Sequence, residues 1–275
     1  MYTLPMALFE TQSIEITNDQ IKQWNVLFAI PCYDQQITEP CMMSLIKTLM
    51  YFRDHGMKFA VATITDSLIN RARNNIAAKF LANEQFTHIM CIDADISWDP
   101  EDVLKMLWHD KDIMTGAYPI KKIHWDRVSH DVKRNIPDNE LAERSLRFVV
   151  NAAKNNNVLN VSNGAIEIYD AGTGFMLIKR QTFEKLIESY PELKYTDDTG
   201  SLTEEECKWT YAFFNSYIDD FRNRFLSEDY GFCRYWQNIG GKVWVDPAIK
   251  LGHLGRMKYE GTMMTYIEDN LAQNE

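Results

Sequence analysis

Between Val26 and Ala117 the chain alternates short apolar runs with amphipathic stretches, and that alternation most narrows what it can fold into. Val26 to Ile30 is continuously apolar and ends at Pro31, as expected of a strand buried on both faces. Cys41 to His55 carries Met42, Leu45, Leu49 and Phe52 at helical spacing, and Gly56 supplies a stop. Phe59 to Ile64 predicts a second strand. Asp66 is placed to cap a helix whose apolar stripe is Ile69, Ala72, Ile76 and Phe80. His88 to Ile92 predicts a third strand, and Ile113 to Ala117 a fourth. Between them Asp99-Pro100-Glu101-Asp102 opens a helix with a cap, an N1 proline and first-turn acids. Repeated βαβ units of this length imply an α/β fold with a parallel, twisted sheet and helices on both faces.

Beyond Pro119 the pattern loosens. Residues 121–163 form a polar insert, with one helix expected around Asn139 to Ala153 and a flexible Asn155-Asn156-Asn157 stretch. Phe175 to Ile178 predicts a strand, Gln181 to Ser189 a helix, and Pro191 to Glu206 an acidic loop. Ser227 to Ile239 predicts a helix ended by Gly240-Gly241, followed by strands at Lys242 to Val245 and Ile249 to Leu251. With no internal repeat and no low-complexity linker, the expected organisation is an extension (1–24), one domain (25–260) and a tail (261–275).

Net charge narrows the function class. Lysine plus arginine total 29 against 39 aspartates and glutamates, leaving −10. That balance opposes a nucleic-acid or anionic-membrane surface as the main function, while a local basic pocket stays possible. Five cysteines, odd in number and scattered without a Cys-x-x-Cys pair, argue against a disulfide framework and fit a reducing cytoplasm. The first 24 residues carry Glu10, Glu15 and Asp19 and lack the form of a signal peptide. No apolar run approaches the roughly 18 residues a membrane span needs. The Asn160-Val161-Ser162 sequon carries no weight without an export signal.

The chemistry-bearing residues gather at expected strand ends. Asp93-Ala94-Asp95 directly follows the third strand, where ligands of open parallel sheets sit. Two such carboxylates can meet a divalent cation and a ribose hydroxyl, or merely cap the turn. Oxygen ligands of this kind suit Mg²⁺ or Mn²⁺. Asp99 is fully explained as a cap and stays outside the site. His253, in Gly252-His253-Leu254-Gly255, is by itself a satisfied loop residue. Its flanking glycines allow close backbone approach, and a neutral imidazole complements two carboxylates around Mn²⁺. Glu228-Asp229 opens a helix after Ser227, which is favourable electrostatically, and either acid there can serve as a general base. Gly172-Thr173-Gly174 is a turn or a close-approach loop. Arg71 and Arg73 can reach a phosphate, although two helix arginines are ordinarily solvated.

Taken in order, these pieces resemble the metal-dependent glycosyltransferases of the GT-A fold, in particular family-2-like enzymes encoded by phages and large viruses. The resemblance rests on Ile30-Pro31-Cys32-Tyr33, Arg71-Ala72-Arg73-Asn74, Ile92-Asp93-Ala94-Asp95, Gly172-Thr173-Gly174-Phe175-Met176, Ser227-Glu228-Asp229 and Gly252-His253. It implies a Rossmann-like nucleotide-binding domain with a mostly parallel central sheet. It further implies that Pro31, Tyr33, Asp34, Asp66, Arg71, Arg73, Asp93, Ala94, Gly172 and Gly174 belong to the nucleotide-sugar site. By the same resemblance Asp93, Asp95 and His253 hold Mn²⁺ or Mg²⁺. Asp229 is the base of an inverting transfer from a UDP-, GDP- or dTDP-sugar to a glycan or other hydroxyl acceptor, with Glu228 as the alternative base. The insert and the acidic loop depart from the pattern, and they leave the acceptor open.

Two rival enzymes fit less well. A sugar nucleotidyltransferase needs a glycine-rich loop and a basic residue after the first strand, and here Pro31-Cys32-Tyr33-Asp34-Gln35-Gln36 has neither. An aspartyl-nucleophile phosphatase carries its Asp-x-Asp on the first strand, whereas this motif follows the third. A non-catalytic carbohydrate-binding protein on the same fold is the remaining alternative, favoured by broken metal and base positions. Those positions are intact.

Overall fold

The alternation resolves into one twisted sheet with a different helical layer on each face. The structure, a computed structural model, describes residues 16–152, 159–219, 223–257 and 263. The Asn155–Asn157 stretch, residues 1–15 of the extension and nearly all of the tail lie outside them. The strands are β1 (Asn25–Pro31), β2 (Lys58–Ile64), β3 (His88–Ile92), β4 (Ile96–Ser97), β5 (Ile113–Gly116), β6 (Val150–Ala152), β7 (Val161–Ser162), β8 (Ala165–Ala171), β9 (Phe175–Lys179), β10 (Tyr217–Asp219), β11 (Arg224–Leu226), β12 (Val243–Asp246) and β13 (Gly252–His253). The helices are α1 (Asn18–Gln23), α2 (Glu39–Asp54), α3 (Ile69–Ala82), α4 (Pro100–Trp108), α5 (Trp125–Val132), α6 (Asp138–Arg144), α7 (Arg180–Ser189), α8 (Glu204–Cys207) and α9 (Glu228–Asn238). Among the described residues no helix is long and apolar enough to cross a membrane.

The main sheet runs β2-β1-β3-β9-β5-β12-β8-β6, with β7 on β8. Most strands point one way, and only β8 and β9 run against the rest. Strand β1 shows why both faces are buried. Val26, Phe28 and Ile30 face a core shared with Phe52 of α2 and Leu107 of α4. Leu27 and Ala29 face a second core with Phe80 of α3, Phe183 of α7 and Trp236 of α9. Side chains alternate sides along a strand, so a continuous apolar run is what two covered faces require.

Strand β9 changes the topology expected from simple βαβ repetition. It lies antiparallel between β3 and β5, with Phe175 opposite Ile92. The loop that starts β9 therefore lies at the edge where β3 ends, and the Asp93 N–H donates to the Gly174 carbonyl at 3.0 Å.

Three local expectations are corrected. The helix expected over Asn139–Ala153 ends at Arg144, and a further helix, α5, precedes it. The segment after α6 turns extended because Val149 N donates to Tyr118 O at 3.1 Å and Ile120 N donates to Arg147 O at 2.7 Å. Ile249–Leu251 is not a strand. Ile249 and Leu251 are buried against Gly116, where an added Cβ would lie 2.9 Å from Ile249 Cγ2. The strand falls one step later, at β13, which pairs antiparallel with β4. Finally, Asp66 does not cap α3. The residue preceding the helix is Leu68, and the Asp66 carboxylate instead takes both Arg71 Nε and Nη2, each at 2.6 Å.

Candidate functional site

The carboxyl ends of β1 and β3 open into a cleft of about 690 Å³. Pro31, Tyr33, Arg73, Asp93, Ala94, Asp95, Glu228, Asp229 and His253 all line it. The fold gathers them from five stretches of sequence: the end of β1, α3, the end of β3, the start of α9, and β13. A crevice outside the carboxyl ends of strands is where an open α/β sheet places its ligand.

Asp95 and His253 meet because β4 and β13 pair. His253 lies opposite Ile96, and Leu254 N donates to Asp95 O at 2.9 Å. Gly252 allows the close approach, since a Cβ there would stand 2.3 Å from Ser97 Oγ and oblige that hydroxyl to turn away. His253 Nδ1 lies 2.7 Å from the Pro119 carbonyl, which can only accept, so Nδ1 carries the hydrogen. Nε2 is then the nitrogen turned to Asp95 Oδ1, at 3.4 Å. In the neutral ring Nε2 is a lone pair facing a carboxylate oxygen, an arrangement that a shared cation satisfies. Lys121 Nζ takes the other carboxylate oxygen at 2.5 Å. Burial opposes ionisation of Asp95, but the contacts with His253, when its ring is protonated and Nε2 donates, and with Lys121 outweigh it and hold the carboxyl at about 2.

Asp93 faces inward. Its Oδ1 accepts from Arg73 Nη2 at 2.8 Å, and Arg73 Nη1 donates to Thr173 O at 3.3 Å. Arg73 Nε lies 3.5 Å from Glu228 Oε1 and makes no hydrogen bond. The arginine is only 6% exposed, so it ties the end of β3 to the start of α9 from below the cleft surface. Burial, and then the neighbouring Asp229 charge, push the Glu228 carboxyl above its ordinary range despite Arg73.

Asp229 is fixed at the start of α9 through one of its two oxygens. One oxygen, Oδ1, accepts from the Tyr230 backbone N–H at 2.8 Å and from the Ser227 hydroxyl, which fixes the side chain at the helix start. Neither of these bonds uses Oδ2.

A second cleft of about 490 Å³ adjoins the first through Tyr33, which lines both and is 70% exposed. Asp34, Asp66, Arg71, Thr199 and Ser201 line it. Asp34 has φ of 51°, so the turn after β1 takes a left-handed step that aspartate tolerates. Arg71 is anchored by Asp66. The acidic loop supplies the far wall and is held to α3 where Asn75 Nδ2 donates to Ser201 Oγ at 3.0 Å.

Gly172 and Gly174 serve the cleft from behind. A Cβ at Gly172 would stand 1.8 Å from Tyr118 Oη, and one at Gly174 would lie 2.7 Å from Asp93 Oδ2. The close approach that these glycines permit is to Tyr118 and Asp93. Tyr118 stands edge-on to His253, with ring centroids 5.3 Å apart. Sequence reasoning missed Tyr118 and Lys121, although both follow β5, whose end lies at the ligand-bearing edge. It also missed Thr38, whose N–H and hydroxyl both donate to Ala94 O, at 2.9 and 3.0 Å.

The residues fit a divalent cation in part. Asp95 Oδ1 and His253 Nε2 converge with a donor set suited to Mn²⁺, whereas Asp93 is engaged by Arg73. Among the described residues no cluster of three or more ligating side chains is assembled. Two protein ligands suffice where substrate phosphates and water complete the shell.

No family model matches the sequence, and no curated protein matches it. Among solved structures the chain is similar to A197 from STIV, with TM-score 0.44 and 16% identity over 84% of this chain and 86% of that one. It is also similar to GalNAc-T7, solved with UDP, GalNAc and Mn²⁺, with TM-score 0.48 and 11% identity over 89% of this chain and 47% of that one. A third similarity is to 4-diphosphocytidyl-2C-methyl-D-erythritol synthase from Anaerococcus prevotii, with TM-score 0.33 and 9% identity over 70% of this chain and 99% of that one.

Proposed function

We propose that this chain is a glycosyltransferase that moves a sugar from a UDP-, GDP- or dTDP-sugar to an acceptor hydroxyl, with Mn²⁺ or Mg²⁺ as cofactor. The observation that carries the reading is the facing pair of Asp95 Oδ1 and His253 Nε2 in one cleft with Asp229. A cation held by that pair supplies the positive charge that a departing diphosphate needs.

The chain's own residues divide the remaining work. The second cleft, with Tyr33 at its mouth and Asp66 and Arg71 in its wall, takes the nucleoside. Arg73 keeps Asp93 and Glu228 in place. Asp229 Oδ2 accepts the acceptor's proton as its oxygen bonds to the anomeric carbon and the carbon–oxygen bond to the diphosphate breaks. Asp229 is better placed than Glu228, because Glu228 Oε1 faces Arg73 while the bonds at the helix start leave Asp229 Oδ2 unused. Attack from the side opposite the leaving group inverts the anomeric centre.

Incubation with UDP-, GDP- and dTDP-sugars tests the reading. Slow hydrolysis of at least one donor is expected with Mn²⁺, abolished by EDTA and by Asp95→Ala. Asp229→Asn should lower kcat by about a hundred- to ten-thousand-fold while donor binding survives. Full activity in EDTA would remove the cation, and a product that keeps the donor's anomeric configuration would remove Asp229 as the base.

A further inference from the structure

Charge in the main cleft is lopsided. Glu39, Asp93, Asp95, Glu228 and Asp229 line it, against Arg73 and Lys121. Arg73 is 6% exposed and already lies between Asp93 and Glu228. Lys121 is different: its side chain is 39% exposed, and its ammonium sits on Asp95 Oδ2, the carboxylate whose other oxygen faces His253 Nε2. Its aliphatic stem runs over Gly255, where an added Cβ would lie 3.0 Å from Cδ, so the glycine clears its path. The backbone just before it fixes the histidine, because Pro119 O receives the His253 Nδ1 hydrogen. One short segment thus positions the imidazole and delivers a competing cation to the same carboxylate.

We infer that Lys121 is a partner-exchanging cation of the donor site. It neutralises Asp95 before the site is loaded. When a divalent cation takes Asp95 and His253, it releases the carboxylate and pairs with the diphosphate. The role rests on the donor-site reading given above. A solvated ammonium on a flexible stem suits such an exchange, because an exposed ion pair is worth little and is readily traded. The diphosphate offers it a stronger, charge-assisted contact.

The test uses the full chain and two equilibrium readouts besides activity. Binding of Mn²⁺ alone is followed by the electron paramagnetic resonance of the free ion. Binding of UDP, GDP and dTDP is followed by calorimetry at saturating Mn²⁺. Lys121→Met should tighten Mn²⁺ alone by about two- to fivefold, because a competitor for Asp95 is gone. The same variant should weaken the diphosphate that binds by about tenfold, and Lys121→Arg should restore most of that loss. A damaged fold cannot move the two affinities in opposite directions. Equal or weaker Mn²⁺ binding by Lys121→Met, or unchanged diphosphate binding, overturns the exchange role while leaving the donor site standing. A wild-type protein that binds none of the three diphosphates overturns the donor site itself and the role with it.

Discussion

Arg73, which is buried, and Arg234, which is partly buried, each bridge two carboxylates, and they differ in charge balance. Arg234 pairs with Asp170 at 3.2 Å and Asp219 at 3.1 Å, and Arg224 adds a second positive charge 3.5 Å from Asp170. Two cations meet two anions there, away from the cleft lining, and the network ties α9 to β8 and to the β10–β11 hairpin. Arg73 stands between Asp93 and Glu228, with Asp229 next in sequence and no second arginine in the cleft lining. A charge-balanced cluster leaves no demand for a further cation and holds elements together. An acid-rich one at a cleft leaves unmet demand for positive charge, which an incoming cation can supply.

The balanced cluster should be the more costly to break. Arg234→Met strands Asp170, whose side chain is 2% exposed, and Asp219, whose side chain is 11% exposed. Removing one partner of a buried pair costs roughly 3–5 kcal/mol. Urea unfolding should show that loss, while transfer by the folded fraction in the cold stays near wild type. A loss under about 1 kcal/mol would mean that Arg224 and Asn151, whose Nδ2 donates to Asp170 Oδ2 at 3.2 Å, already suffice for Asp170, since pairs of that worth are typical of exposed sites.

The acid-rich cluster should respond in the opposite sense. In Arg73→Met the freed Asp93 side chain is 29% exposed and can hydrate through the cleft, so destabilisation should be smaller than for Arg234→Met. Activity should fall by about a hundredfold, since misplacing reactive groups by about 1 Å costs that much. The drop belongs in kcat, because Arg73 acts through Asp93 and Glu228. A rise in donor KM with kcat kept would instead make Arg73 a direct ligand of the donor.

How far these clusters could be read in the sequence follows from what each one needs. Asp93 and Asp95 were legible because a buried strand leads directly into them, and Glu228 and Asp229 because a helix begins there. The apolar runs of β1, β2, β3, β5 and β12 were legible for the same local reason. What failed was pairing. Phe175–Ile178 was recognisable as a strand, but nothing local says that it enters antiparallel between β3 and β5. Arg71 and Arg73 both read as helix arginines, yet one is tied to Asp66 at the second cleft and the other is buried. The Arg234 network joins residues 15 and 64 positions apart and leaves no pattern in either stretch. Lys121 looked like the first residue of a polar insert. Its role depends on a turn that returns it to Asp95, 26 positions earlier.

The smallest expected effect isolates the charge imbalance itself. Burial, first, and the Asp229 charge, second, raise the Glu228 carboxyl above its unfolded value, and Arg73 offsets them only in part. As pH rises, the unfolded chain loses this proton before the folded one does. Between the two values the folded state binds more protons, so stability falls with rising pH through that window. The contribution is fully present below the unfolded value, near 4.3 for glutamate, and is lost once pH passes the raised one. Asp95, held at about 2, acts with the opposite sign: its contribution is present above about 4 and is lost only as pH falls toward 2. Glu228→Gln removes the first effect and keeps the second. Urea midpoints between pH 4 and 8 should therefore lie close together at the acid end, with the variant increasingly above wild type toward pH 8. Its kcat should stay far above that of Asp229→Asn. Parallel midpoint curves would show that Arg73 fully compensates Glu228, and the two arginine clusters would then differ in location but not in charge balance.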